Sequence, residues 1–293
     1  MTILALCLSL LGSGPETLGP TRPAPRQAEV STRVTNRPGN RFGTVLVLMY
    51  HRTGPDEKYM VRSQRHFRAD LERLYRLGYR PVTLAEYCSN SMQLPRGASP
   101  VVLTFDDADP SQFAIRPDGT VDPGCMVGIW RAFAQKHPDF PVKGTFFVLP
   151  NGPWGQKKLA AKKLAMLREW GSEVGSHTVN HPNLSKLTDE QVTSEFGRSY
   201  EYVAKQGFEP TSMALPYGIL PKNRDLVESF RYNGKSHRYW NVVLAGAAPA
   251  RSPMDPKFDR YRIQRVQAYD GILGITYWLN YNKAHPGSPY VQP

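Results

Sequence analysis

A chain of 293 residues, 40% of them hydrophobic and 21% charged, has enough apolar surface for one large α/β domain or two small ones, which excludes a wholly disordered protein. Its 37 Lys and Arg against 25 Asp and Glu give a formal net charge of +12. That balance favours polyanions or acidic surfaces and by itself names no partner.

The apolar run from Ile3 to Leu11 has the size of a signal-peptide core and is too short for a spanning helix, although no Lys or Arg precedes it. Residues 1–40 therefore read as a signal-like segment followed by a Pro-, Gly-, Thr- and Arg-rich linker, with the folded domain over 41–293. A secreted or surface-tethered protein is the expectation, the N-terminus being either cleaved or kept as a membrane or cell-wall tether. Without this segment Cys88 and Cys125 remain, which either pair in an oxidising compartment or stay reduced.

The run from Thr44 to Tyr50 predicts a strand covered on both faces, ending on His51. Phe67, Leu71, Leu74 and Leu77 recur at helical spacing and Gly78 supplies the stop. A second buried strand, PVVLTF, delivers Asp106 and Asp107. A polar insertion to about Pro123 follows, then a helix from Met126 to Lys136, the strand VKGTFFVLP and a helix from Leu159 to Trp170. SEVGSH predicts a short strand ending at His177, and Thr188 with Gln191 forms a capping-box signature for a helix to about Lys205. TSMALPYG reads as a strand stopping at Pro216, with later strands in YWNVVLA and RYRIQRV. Strands alternating with helices argue for a single α/β domain built on a parallel sheet or barrel, whose chemistry gathers at the carboxyl ends of the strands.

Several strands end in groups that bind metal or move protons: His51, Asp106 with Asp107, His177 with His181, and Tyr217. His177 and His181 stand four apart, which on one helical turn would place them about 5–6 Å apart on one face, close enough to share an ion. Alone, that pair reads equally as a capping and a surface His. Asp106 and Asp107 repel each other where water is scarce, and a cation removes the conflict. Alone, that pair reads as a cap with solvated charges. Together, two His and one carboxylate with an open position suit hydrolytic zinc, which lowers the pKa of a water to about 7.

TFDD, SHTVNH and LPYG, in this order, resemble the successive motifs of the NodB-type polysaccharide deacetylases, carbohydrate esterase family 4. The resemblance spans about Val45 to Val266. It implies a distorted (β/α)7-type barrel, one divalent metal ion, usually Zn2+, and hydrolysis of N-acetyl groups on polysaccharide amino sugars. By position, Asp106 resembles the general base, and Asp107, His177 and His181 resemble the metal ligands. Pro216 and Tyr217 resemble the substrate-binding groove wall, with the Tyr217 backbone N–H on the oxyanion. Two features depart from the pattern: Ala214 stands where the family carries an Arg that orients the base, and no late Leu-x-x-His motif is present. VLMYHR and RYRIQRV are similar to the permuted poly-N-acetylglucosamine deacetylase subgroup, which makes His51 the candidate general acid. The implied partner is an N-acetylated polysaccharide met by a monomer; no aromatic-basic motif of a nucleic-acid-binding module is present. An O-acetyl polysaccharide esterase and a non-catalytic glycan-binding module are the alternatives. Trp154 and Trp240 could stack on sugar rings or fill the core.

Overall fold

The computed structural model describes residues 34–293, so the signal-like segment lies outside the described residues. Residues 34–40 are held to the body: the Val34 amide donates to the Arg96 carbonyl (2.8 Å) and Asn40 pairs with Val291. No helix among the described residues is long and apolar enough to cross a membrane.

The chain runs through β1 (Leu46–Tyr50), β2 (Arg52–Gly54), β3 (Val61–Ser63), α1 (Gln64–Arg76), β4 (Tyr79–Pro81), α2 (Leu84–Cys88) and β5 (Ser99–Phe105). It continues through α3 (Met126–Lys136), β6 (Thr145–Val148), α4 (Ala160–Glu169), β7 (Glu173–Ser176), α5 (Asp189–Lys205) and β8 (Ser212–Ala214). The hairpin of β9 (Phe230–Tyr232) and β10 (Lys235–His237) precedes β11 (Asn241–Val243), β12 (Val266–Gln267) and α6 (Ile275–Ala284).

Seven strands form a parallel path in the order β11-β8-β7-β6-β5-β1-β12, with β4 pairing the first half of β5. A parallel bridge between Val243 and Ile263 brings the segment before β12 back to β11, so the sheet curls into a distorted barrel. The predicted strand RYRIQRV is thus reduced to β12 and this bridge, because Arg265 within it turns inward to serve a buried charge.

Strands β1 and β5 are buried along their whole length, as their unbroken apolar runs require. Alternation sorts their side chains. Leu46, Leu48 and Tyr50 pack under Phe67, Leu71 and Leu74 of α1, whereas Val45 and Val47 join Val102, Phe147, Ala214 and Val243 in a second cluster. Helix α1 is capped by Ser63, whose side chain accepts from the His66 amide, and ends before Gly78 at φ 81°, a left-handed position that Gly enters freely. Cys88 and Cys125 are free thiols buried in different clusters, which removes their pairing; Cys125 instead caps α3, its sulfur accepting from the Gly128 amide at 3.3 Å.

Candidate metal centre and active site

Parallel strands deliver their carboxyl ends to one rim, and there β1, β5, β7 and β8 present His51, Asp106 with Asp107, His177 with His181, and Tyr217. All six line one cavity of about 220 Å³. Pro216 is buried and does not line it; Leu215, Tyr217 and Gly218 form the wall on that side. Five residues at this rim, Asp107, Ala108, Thr178, His181 and Tyr217, are half of the ten described non-glycine residues with positive φ. Backbone strain is therefore concentrated where the side chains converge.

Asp107 Oδ1 lies 3.3 Å from His177 Nε2 and 3.6 Å from His181 Nε2. The ligand atoms of these three side chains all fall within 4.8 Å of one another. His177 is buried and its Nδ1 lies 2.8 Å from the Ala214 carbonyl. A carbonyl only accepts, so Nδ1 carries a proton and Nε2 faces Asp107; buried there, Nε2 has no hydrogen-bond partner of good geometry. An imidazole oriented through its far nitrogen, with its near nitrogen left for a ligand, is what a metal site requires. The three residues fit a divalent cation.

The loop carrying the two His is not the helical turn the four-residue spacing suggested, because Thr178 (φ 65°) and His181 (φ 52°) are left-handed. Glu195 of α5 holds it instead, accepting from the Val179 amide (2.8 Å) and the Asn180 amide (2.9 Å). The rings of His177 and His181 end 4.8 Å apart, and that of Tyr217 lies 4.6 Å from His181.

Asp106 is separated from its neighbour by a different partner. Arg265 donates Nη1 to Oδ1 and Nη2 to Oδ2, both at 2.7 Å, and is fixed by the Thr104 hydroxyl (3.0 Å) and the Leu244 carbonyl (2.8 Å). The departure at Ala214 is thus met by an Arg from the opposite end of the chain. Burial pushes the Asp106 carboxyl up, but the Arg265 guanidinium and the neighbouring imidazoles outweigh it and hold it well below the usual carboxylate range. Burial likewise opposes ionisation of Asp107, and His177 overcomes it. His51 Nε2 is 3.9 Å from Asp106 Oδ2; burial pulls this imidazole down and the two carboxylates only partly restore it.

The insertion after Asp107 is tied to the strand ends of the site. Gln112 is fully buried and donates to the carbonyl oxygens of His51 (2.6 Å) and Asp106, joining the two strand ends. Lys163 of α4 pins the same insertion from below, donating to the Phe113 (2.6 Å) and Trp154 (3.2 Å) carbonyls. Trp154 is core, and Trp240 lies in a separate cavity with Thr211 and Arg260. A second cluster, Glu57, His66 and Asp270, has its carboxylates engaged by Arg62, so a cation there would displace an existing ion pair.

Residues 94–234 match the family model "Polysaccharide deacetylase"; His51 and Arg265 lie outside the matched segment. The chain is 32% identical over 123 residues to peptidoglycan-N-acetylglucosamine deacetylase PgdA of Listeria monocytogenes, covering 42% of this chain and 22% of that protein. It is 28% identical over 149 residues to a chitooligosaccharide deacetylase of Bradyrhizobium, covering 50% and 58%. The chain thus spans between about a fifth and three fifths of these relatives. Among solved structures, Streptococcus pyogenes deacetylase PplD superposes with a TM-score of 0.60 at 18% identity over 86% of this chain and 100% of that one, a likeness of fold.

Proposed function

The chain belongs to the NodB-type polysaccharide deacetylases, carbohydrate esterase family 4, and from that premise we propose that it is a metal-dependent hydrolase removing N-acetyl groups from glycans containing N-acetylglucosamine. The observation that carries this reading is the convergence on one cavity of a two-His, one-Asp triad with a second, Arg-paired Asp and a His. Asp107, His177 and His181 would hold the cation, for which zinc suits the donor set. When bound, zinc supplies an electrophile for the acetamide oxygen and lowers the pKa of a water.

The protein's own groups have distinct tasks in this scheme. Asp106, kept ionised by Arg265, accepts the proton of the attacking water. An amine leaves poorly without a proton, and His51, which lines the same cavity as the triad, delivers it to the departing nitrogen. The Tyr217 backbone N–H stabilises the oxyanion, and the residue, 63% exposed and next to Pro216, forms the groove wall with its ring. His51 directly after β1 and Arg265 directly before β12 support placement near the permuted subgroup. The relatives named for cell-wall and chitin-like substrates support an extracytoplasmic site of action. Arg265, paired with Asp106 where Ala214 stands in place of the family's Arg, supports the catalytic reading over a non-catalytic module. Acetate release from chitotetraose and from acetylated xylan tests the assignment: release from chitotetraose is expected, and release from xylan alone would replace it with an O-acetyl esterase.

A further inference from the structure

The cavity contains a second guanidinium that the proposed chemistry does not use. Arg52 directly follows His51, and strand alternation turns Thr53 into the body, where its hydroxyl donates to the Arg62 carbonyl at 2.7 Å, while Arg52 stays exposed and lines the cavity. Arg265, the other Arg of the cavity, is neutralised by Asp106; Arg52 has no carboxylate within ion-pair distance among the described residues. With a divalent cation on Asp107, His177 and His181, the mouth of the cavity carries a net positive charge.

The segment bearing Arg52 is anchored. The Thr53 amide donates to the Ser111 hydroxyl (3.0 Å), and β2 pairs in parallel with β3, whose Arg62 is buried against Asp70. Between these strands Met60 is left-handed at φ 57°, and the adjacent Tyr59 projects from the rim at 81% exposure. Tyr59 is the most exposed large apolar residue described, and it lines the same cavity as Arg52. An exposed aromatic face lining the same cavity as an unpaired guanidinium suits a sugar ring bearing an anion: the ring stacks, and the planar fork takes two oxygens.

We propose that Arg52 and Tyr59 form a specificity subsite for an acidic substituent, carboxylate or phosphate, on the sugar next to the one that loses its acetyl group. The inference rests on the deacetylase reading and narrows its substrate to an anionic glycan, in keeping with the chain's net charge of +12.

The test compares kcat/KM of the zinc-loaded chain on three tetrasaccharides: neutral chitotetraose, a tetramer with a lactyl-ether carboxylate on alternate sugars, and chitotetraose phosphorylated at C6. A preference of about fivefold for a charged tetramer is expected, reduced by salt, lost through KM in Arg52→Gln and partly kept in Arg52→Lys. The two charged arms identify the anion. A preference that persists in Arg52→Gln, or chitotetraose turned over as well as both charged tetramers, overturns the proposal. If no tetramer releases acetate, the deacetylase reading fails, and equilibrium binding to the Asp106→Asn chain then decides the subsite. Arg52→Gln in that background must weaken a charged tetramer about fivefold more than the neutral one, and equal weakening overturns the proposal.

Discussion

Asp106 and Asp107 are adjacent in sequence but face different partners, Arg265 and the two imidazoles, and their variants should therefore separate. Asp107→Ala is expected to lose the metal, whereas Asp106→Asn keeps it and loses turnover by about 10²–10⁴-fold; equal metal loss on elemental analysis would contradict this division. Arg265→Met leaves a buried carboxylate without its cation and should cost about 3–5 kcal/mol at neutral pH. Because Asp106 in the fold titrates below its unfolded value, its stabilisation is present above that unfolded value and is lost as pH falls through the lower folded one. The gap between wild type and Arg265→Met in denaturant melts of the metal-free chain should accordingly narrow towards acid, and a gap independent of pH would refute the pairing. The six cavity-lining residues identified from sequence were legible because each lies at or shortly after the end of a predicted strand, where a parallel sheet gathers its chemistry. Arg265 was not: it lies 159 residues from Asp106, and within RYRIQRV nothing distinguishes it from its solvated neighbours.

At the scale of elements, the sequence signals that held were those with local causes. The Thr188 and Gln191 side chains cap α5 reciprocally, and α3 runs over the residues its apolar period marked out. The spacing of His177 and His181 misled because two conformations, a helical turn and a left-handed loop, bring residues four apart together, and the loop is held by the distant Glu195 together with the Thr178 hydroxyl, which accepts from the His181 amide. Glu195→Ala should weaken metal binding by about 10–100-fold with all three ligands in place, read by competition with a chelator; unchanged affinity would show that the loop holds itself. The insertion was equally opaque, since its role depends on Gln112 meeting two carbonyls that the sequence places 55 positions apart, at 51 and 106.

For the molecule as a whole, curling the sheet makes the ends of the chain part of the site: β1 supplies His51 and the approach to β12 supplies Arg265. The same closure leaves charges in the interior. Burial pulls the Lys163 ammonium down to about 8, against about 10.4 in the unfolded chain. Between those values only the unfolded state holds the proton, so stability relative to Lys163→Met should rise with pH from about 8 to about 10, and a flat difference would show that the ammonium is not desolvated. The central claim is that Asp107, His177 and His181 together hold one cation for N-deacetylation. Its most direct test is to strip the chain with a chelator, restore zinc stepwise and follow acetate release from an N-acetylated tetrasaccharide. Activity should be absent at the start and saturate at one zinc per chain; release that survives chelation, or that ignores added zinc, would contradict it.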